Sequence, residues 1–371
     1  MTHPDQVTNP GRERIESIQI LRCLAASLVV LYHTDLHVFR LSGGQHTHAF
    51  NFAAAGTDLL FVISGFIMVH IAHGSRVGFG EFIFRRIARI APLYWLLTLL
   101  MLATYLVWPK LFNSTAFDPW HLLASLAFLP HAHPVLGVQR PFLFPGWALN
   151  YFVFFYVLFG AFLFLPTTRR IAVVGIILCG LTALWLRFYG TSPVLDFYGA
   201  PIVLDFVVGM IVAWFFVKRR AIGILPIAVV FALSAGIFAA GVSAGVSGGH
   251  ERFLYWGLAD AGLLFSFVFF EREWGLWSPD LLTRLGDASF AIYLSDLFSL
   301  AVVAKAVQAT GLFAMLGIAG VQALMVVSAL AAGFLLNSLV ERPLHASILR
   351  YGARWLNGLL PRVKPPTVVD L

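Results

Sequence analysis

Long apolar segments alternate with short polar ones along almost the whole chain. Each long segment has about 17 to 25 residues, enough for a helix to cross a hydrocarbon core about 30 Å thick. The apolar residues are continuous and do not alternate with a period of two, which favours helices over a membrane β-barrel. We therefore predict an all-α, polytopic membrane protein with about ten transmembrane helices. The predicted spans are 15–36, 52–73, 90–108, 146–166, 171–188, 201–217, 222–243, 253–270, 289–310 and 313–340.

Another apolar segment, Asp118 to Pro130, has only about 12 residues and is too short to cross unaided, so we interpret it as interfacial or re-entrant. With this segment excluded, most basic residues fall on one side of the membrane. Short loops rich in Lys and Arg tend to stay cytoplasmic, so we predict that both termini are cytoplasmic. The predicted organisation is a cytoplasmic segment 1–14, a membrane domain 15–345 and a cytoplasmic tail 346–371.

Composition supports a membrane protein. Of the 371 residues, 59% are hydrophobic and 12% are charged, whereas an average soluble domain has roughly 25% charged residues. Cys23 and Cys179 both lie in apolar segments and provide no disulfide framework or cysteine metal site. The formal net charge of +7 favours contact with anionic lipid or substrate over nucleic acid in a chain this apolar.

Arg22 and His33 interrupt the first span, and charged side chains within a span are costly enough to mark candidate functional sites. Eleven residues of helix make about three turns, so the two side chains share a face but stand about 16 Å apart along the axis. We expect Arg22 to lie toward the cytoplasmic half of the membrane and His33 toward the far half. Alternatively, Arg22 snorkels to the interface and His33 marks the end of the span.

Asp58 in the second span should lie level with His33. A carboxylate there is suited to orient the imidazole and to stabilise its protonated form. An N-cap of the second helix is the alternative interpretation, and the two do not exclude each other.

Three arginines, Arg85, Arg86 and Arg89, lie in a predicted cytoplasmic loop at the entrance of the third span. Arg85 and Arg89 are four residues apart and would share a helix face, and guanidinium groups bind phosphates well. An arginine cluster is also ordinary in any cytoplasmic loop.

Polar residues in later spans are candidates for binding a polar substrate, because a buried polar group in a membrane needs a hydrogen-bond partner. These acceptor-binding candidates are Asn150, Tyr151, Tyr156, Asp205 and Asp296. The histidine pairs His46 and His48, and His131 and His133, lack a helical zinc-binding pattern, so we predict no metal site. The sequence also has no phosphate-binding loop or dinucleotide glycine motif.

Taken in order, these segments resemble the membrane-bound acyltransferase-3 family, which includes bacterial O-acetyltransferases of envelope glycans. The resemblance extends from about Ile15 to Pro343. The segment most similar to the exopolysaccharide branch is PGWALNYFVFFY. The other matching segments are LRCLAASLVVLYH, GTDLLFVISGF, FRRIARIAPLYW, PIVLDFVVGM, LGDASFAIYLSDLF and VERPL.

The resemblance implies transfer of an acyl group, usually acetyl, from cytoplasmic acyl-CoA to a sugar hydroxyl of an exopolysaccharide, a lipopolysaccharide or a lipid-linked glycan precursor. Acyl-CoA would be a substrate, with no bound cofactor, and the protein would lie in a bacterial inner membrane. His33 would be the catalytic histidine and Arg22 its motif partner, while Arg85, Arg86 and Arg89 would meet the phosphates of CoA.

Two positions depart from the family pattern. Phe152 stands where a Glu is common, and Asp296 stands where a His is common. These departures leave room for a different acceptor, for reduced activity or for a non-catalytic relative that binds glycan or lipid. A transporter of polar solutes or glycans is a further alternative, although the sequence lacks the paired broken helices of such proteins.

Overall fold

A computed structural model describes residues 14–44, 49–75, 77–111, 117–218 and 221–359. These residues form fourteen α-helices. No strand occurs within them, although an antiparallel bridge joins Ala132 to Gln139. The helices are α1 Glu16–Leu41, α2 Ala55–Ala72, α3 Phe79–Val107, α4 Pro119–Leu126, α5 Gly146–Ala161, α6 Thr167–Phe188, α7 Pro193–Tyr198, α8 Val203–Val217, α9 Ile224–Ser243, α10 Leu258–Trp274, α11 Asp280–Asp287, α12 Ser289–Thr310, α13 Leu312–Leu336 and α14 Arg342–Leu359.

The helical membrane architecture predicted from the sequence is confirmed. Within the described residues, nine helical segments are long and apolar enough to cross a membrane. They correspond to nine of the ten predicted spans. The tenth, at 146–166, is the 16-residue helix α5, which is apolar but shorter than the others.

Two further segments differ in detail from the predictions. Helix α3 begins at Phe79, so the arginine cluster lies on the helix itself and not in a loop before it. Helix α4 has only eight residues, and Asp118 caps its N-terminus by accepting a hydrogen bond from the backbone N–H of His121 at 2.8 Å. Its shortness fits the prediction that this segment does not cross the membrane.

Helix α1 is held at its N-terminus by a carboxylate from another helix. The two carboxylate oxygens of Glu271, on α10, accept hydrogen bonds from the backbone N–H groups of Glu16 and Ser17, each at 2.8 Å. The first N–H groups of a helix have no partner within the helix, and a negative charge there is favoured by the helix dipole. This contact anchors the helix that carries Arg22 and His33.

Helices α2 and α8 cross at two glycines. A Cβ added at Gly65 would collide with the backbone carbonyl of Phe206, and one added at Gly209 would collide with the carbonyl of Val62. Small residues let helix backbones approach closely in membranes, where dispersion contacts largely replace the hydrophobic driving force. The crossing places Phe61 against Phe206, with ring centroids 4.8 Å apart, within the aromatic core shared with α5.

Replacing Gly209 with alanine should push α2 and α8 apart, because the new methyl group meets rigid backbone. We expect a loss of about 1–3 kcal/mol in the free energy of unfolding, the usual cost of overpacking. The thermal midpoint of the purified protein in detergent measures this effect. Gly180→Ala is the matched control, since a Cβ at this helical glycine meets nothing within 4 Å. Equal midpoints for the two variants would show that the close crossing does not stabilise the fold.

Candidate functional site

Two cavities lie on either side of Tyr293, a buried residue of α12 that contributes to both walls. The histidine cavity has a volume of about 240 Å³ and is lined by Val29, Tyr32, His33, Ala54, Thr57, Gln139, Arg140, Phe144, Trp147, Phe197, Arg252 and Tyr293. The arginine cavity has a volume of about 110 Å³ and is lined by Arg22, Leu60, Ile63, Ser64, Ile67, Met68, Arg86, Arg89, Ile90, Phe152, Tyr156, Ser289, Phe290 and Tyr293.

Helix α1 lines both cavities. His33 faces the histidine cavity, and Arg22, which precedes it by three helical turns, faces the arginine cavity. Helix α1 continues to Leu41, so His33 lies within the helix and does not mark its end. Arg22 donates a hydrogen bond through Nε to the Oγ of Ser289 at 3.1 Å, so its guanidinium is held within the protein.

His33 has a carboxylate partner. Its Nδ1 lies 2.6 Å from Oδ2 of Asp296, on the neighbouring helix α12. The Asp296 side chain is fully buried and the His33 side chain is 12% exposed. A carboxylate at Nδ1 favours the tautomer with the proton on Nδ1, which leaves Nε2 as the basic nitrogen. Within the described part of the chain, Nε2 makes no hydrogen bond and is available to a substrate.

The carboxylate on the imidazole is therefore not Asp58, which we had expected in that place. Asp58 accepts a hydrogen bond from Nε of Arg252 at 2.6 Å, and its side chain is fully buried. It also lies within the first turn of α2 and not at the N-cap position, which is Ala54. The position of Asp58 in its span predicted its level in the membrane but could not predict which helix its side chain contacts.

Arg252 is fixed by two contacts. Besides its bond to Asp58, it donates through Nη2 to the backbone carbonyl of Ala54 at 3.0 Å. Asp205 and Asp260, both buried, interact electrostatically with Asp58 and Arg252. We predicted that Asp205 binds the acceptor, but it does not line either cavity. Its position is better suited to stabilising the Arg252 guanidinium.

The connection between α4 and α5 forms one wall of the histidine cavity. The backbone carbonyl of Arg140 contacts Nε2 of His121 at 2.7 Å, and the Arg140 N–H donates to the carbonyl of His131. The guanidinium of Arg140 lies over the ring of Phe144, 4.5 Å from its centroid. These contacts fix the backbone of Arg140 and hold its side chain at the cavity.

The second histidine pair belongs to this wall. Nδ1 of His133 accepts hydrogen bonds from the backbone N–H groups of Val135 and Leu136 at 3.2 and 3.3 Å. Burial lowers the pKa of His133, and His121 and Arg140 add to this shift, so the ring stays neutral and accepts these bonds. His133 therefore shapes the loop. His46 and His48 lie outside the described residues, and no group of three or more candidate metal ligands occurs within the described ranges.

The arginine cavity brings together three guanidinium groups from two helices. Arg22 comes from α1, and Arg86 and Arg89 come from α3. Arg89 also forms an ion pair with Glu341, whose side chain is 2% exposed. Arg85, which we had expected on the same face as Arg89, does not line the cavity and instead pairs with Glu81 on its own helix at 2.6 Å. Positions three residues apart, not four, therefore meet the cavity.

The polar residues of α5 lie in different surroundings. The hydroxyl of Tyr151 donates a hydrogen bond to the backbone carbonyl of Phe197 at 2.6 Å, and neither Tyr151 nor the buried Asn150 lines the histidine cavity or the arginine cavity. Tyr156 lines the arginine cavity together with Phe152. None of these three acceptor-binding candidates is on the histidine side, because α5 presents Trp147 to that cavity.

Sequence reasoning missed several residues that the fold brings to the cavities. Arg252 and Trp147 lie at the ends of predicted spans, where Arg and Trp are ordinary, and Tyr293 carries no charge to mark it. Glu341 stood in the quoted segment VERPL without an assigned role. The signal that could have identified Arg252 is its place immediately before a span on the side that carries few basic residues.

Comparisons with known proteins agree with the family resemblance seen in the sequence. A family model described as an acyltransferase domain matches residues 15–338. The chain is 36% identical over 297 residues to the exopolysaccharide production protein ExoZ of Rhizobium meliloti (strain 1021), an alignment that covers 80% of this chain and 91% of that protein. No solved structure matches the chain.

Proposed function

Because the chain belongs to the acyltransferase-3 family of membrane O-acyltransferases, we propose that it transfers an acyl group from acyl-CoA to a sugar hydroxyl of an envelope glycan. Acetyl is the proposed acyl group. Exopolysaccharide is the first acceptor to test, because the similar protein of Rhizobium meliloti is named for exopolysaccharide production. Lipopolysaccharide and lipid-linked glycan precursors are the other acceptors in the proposal.

The pairing of His33 with Asp296 beside an open cavity is the observation that carries this proposal. In the proposed reaction, Nε2 of His33 takes the proton of the sugar hydroxyl as the hydroxyl oxygen attacks the thioester carbonyl carbon. The tetrahedral intermediate collapses, the carbon–sulfur bond breaks, and the imidazolium returns its proton to the CoA thiolate. Asp296 stabilises the imidazolium and keeps the ring oriented. The products are the sugar ester and free CoA.

Arg252 is suited to stabilise the oxyanion that forms during this reaction. Its guanidinium is held by Asp58 and by the Ala54 carbonyl before any substrate binds, and it lines the same cavity as His33. Donors that are fixed in advance at a developing negative charge are usually the largest catalytic contribution. Arg22 lies about 16 Å, or about three helical turns, from His33 and is too distant to stabilise this oxyanion. Arg252 is the arginine that we propose for this role.

The arginine cavity is the proposed donor side. Arg22, Arg86 and Arg89 present guanidinium groups, which bind phosphate oxygens with charge-assisted, often paired hydrogen bonds. The phosphates of CoA would bind here, and the acyl thioester would reach past Tyr293 toward His33. We place the arginine cavity on the cytoplasmic side, where acyl-CoA is found. The proposal keeps both termini on that side and places the protein in a bacterial inner membrane. The predicted division into 1–14, 15–345 and 346–371 remains part of this proposal.

Replacing Arg86 with glutamine should raise the KM for acetyl-CoA by a factor of about 10 to 150, since losing one charge-assisted hydrogen bond to phosphate costs about 1.5–3 kcal/mol. Steady-state kinetics of the purified enzyme measure this change. Arg85→Gln is the matched control, because Arg85 is the adjacent residue on the same helix but pairs with Glu81 away from the cavity. A similar KM for both variants and the wild type would place the CoA phosphates elsewhere.

Deletion of the gene in its host tests the proposed function in the cell. We expect the O-acetyl signals of the exopolysaccharide, or of another envelope glycan, to disappear from the proton NMR spectrum. The wild-type gene should restore them, and a gene encoding His33→Gln should not. Unchanged acyl content in all envelope glycans of the deletion strain would contradict the proposal.

A further inference from the structure

We propose that the acceptor is an anionic saccharide, and that Arg140 binds a carboxylate or phosphate group carried near the hydroxyl that is modified. This inference rests on the proposed function, because it treats the histidine cavity as the acceptor site. It specifies the chemical class of the acceptor, which neither the family nor the similarity to another protein states.

The lining of the histidine cavity is cationic. Two guanidinium groups, those of Arg140 and Arg252, contribute to its walls, and none of the described lining residues is an Asp or Glu. The nearby carboxylates offset part of this charge, because Asp58 is bound to Arg252, Asp296 is bound to His33, and Asp205 and Asp260 also interact with Arg252. A charge that has no counter-ion, held between walls of low dielectric, attracts ligand groups of the opposite sign.

Arg140 is the cation in this lining that has no acidic partner. Arg252 is already paired with Asp58, whereas Arg140 forms no ion pair with any residue in the described part of the chain. Its contact with Phe144 orients the guanidinium without neutralising it, because a ring face carries no net charge. The hydrogen-bonded backbone of Arg140 holds this charge at the edge of the cavity. The arrangement leaves a positioned guanidinium ready for an anionic group of a ligand.

The remaining lining suits a sugar ring. Tyr32, Phe144 and Trp147 supply aromatic surface against which the apolar C–H face of a pyranose packs. The side-chain carbonyl oxygen of Gln139 is buried and has no hydrogen-bond partner among the described residues, so it can accept a bond from a sugar hydroxyl. The volume of about 240 Å³ is below the roughly 300–1,000 Å³ of typical ligand pockets, so the cavity holds one end of a saccharide and not a long chain.

The test compares three monosaccharides that differ in charge at one carbon: glucose, glucuronate and glucose 6-phosphate. Their dissociation constants for the full-length protein in detergent are measured by saturation-transfer NMR without acyl-CoA. We expect at least one of the two anions to bind about tenfold more tightly than glucose. The ratio between glucuronate and glucose 6-phosphate then shows whether the site prefers a carboxylate or a phosphate.

Arg140→Gln should reduce that preference to within about twofold, whereas Arg140→Lys, which keeps the charge, should retain most of it. Arg187→Gln is the matched control, because Arg187 is also exposed and also lies over an aromatic ring, that of Phe188, but lines neither cavity. Equal binding of all three sugars to the wild type, or an anion preference that survives in Arg140→Gln, would overturn the inference. Binding is measured without donor, so an absence of acyl transfer would count against the proposed function and not against this inference.

Discussion

Replacing His33 with glutamine is expected to lower kcat for acyl transfer by about 10²–10⁴-fold, the usual contribution of a general base. Glutamine preserves the approximate size of the side chain but cannot take up the proton of the sugar hydroxyl. The affinity for acetyl-CoA should change little, because the arginine cavity lies on the other side of Tyr293. Initial rates of the purified variant, at saturating donor, measure the effect.

His37→Gln is the matched control, because His37 lies one turn further along α1 and does not line the histidine cavity. Asp296→Asn provides a second test of the pair. An amide no longer stabilises the imidazolium or fixes the tautomer, so we expect a loss on the order of 10²–10⁴ in kcat with an unchanged KM for acetyl-CoA. Wild-type kcat in a folded His33→Gln protein would exclude His33 as the base.

Replacing Asp58 with alanine is expected to destabilise the protein by about 3–5 kcal/mol, the usual cost of leaving one member of a buried ion pair without its partner. Asp58 is fully buried, and the side chain of Arg252 is only 15% exposed, so water cannot take the place of the lost carboxylate. The thermal midpoint in detergent should fall well below that of the wild type.

Two further variants separate this effect from general damage. Asp280→Ala removes the acidic member of an exposed ion pair with Arg284 and should have little effect on the midpoint. The double variant Asp58→Leu/Arg252→Met should recover only part of the lost stability, because it removes the unpaired guanidinium but also takes that cation away from Asp205 and Asp260. The same double variant should stay inactive, since Arg252 is the proposed oxyanion donor. A stable Asp58→Ala variant would mean that Arg252 does not depend on Asp58.

The membrane architecture was predictable from the sequence because the bilayer imposes a length on every span. A run of about 20 apolar residues has few alternatives to a crossing helix, and nine segments of the described chain are of this kind. The separation of Arg22 and His33 along α1 was also predictable. Helical geometry alone places Arg22 and His33 on one face and three turns apart, and they line separate cavities.

The partners of these residues were not predictable, because they depend on which helices pack together. Depth in the membrane suggested Asp58 for His33, yet the packing of α1 against α12 brings Asp296 to the imidazole instead. Asp296 had been a departure from the family pattern that raised the alternative of reduced activity. Its contact with His33 is the arrangement expected of a catalytic carboxylate. The partner of Arg85 was not predicted either, because it pairs with Glu81 on its own helix and does not meet the cavity.

Transfer of labelled acetyl groups by the purified protein tests the central claim most directly. The wild-type protein in lipid nanodiscs is incubated with [¹⁴C]acetyl-CoA and, in separate reactions, with saccharides of the exopolysaccharide and of the other envelope glycans, from which esters have been removed by mild alkali. We predict label in the saccharide, released as acetate by alkali, with one free CoA formed per ester, and no such label with His33→Gln. Folded wild-type protein that binds acetyl-CoA but leaves all envelope saccharides unlabelled would contradict the claim that this chain is a glycan O-acetyltransferase.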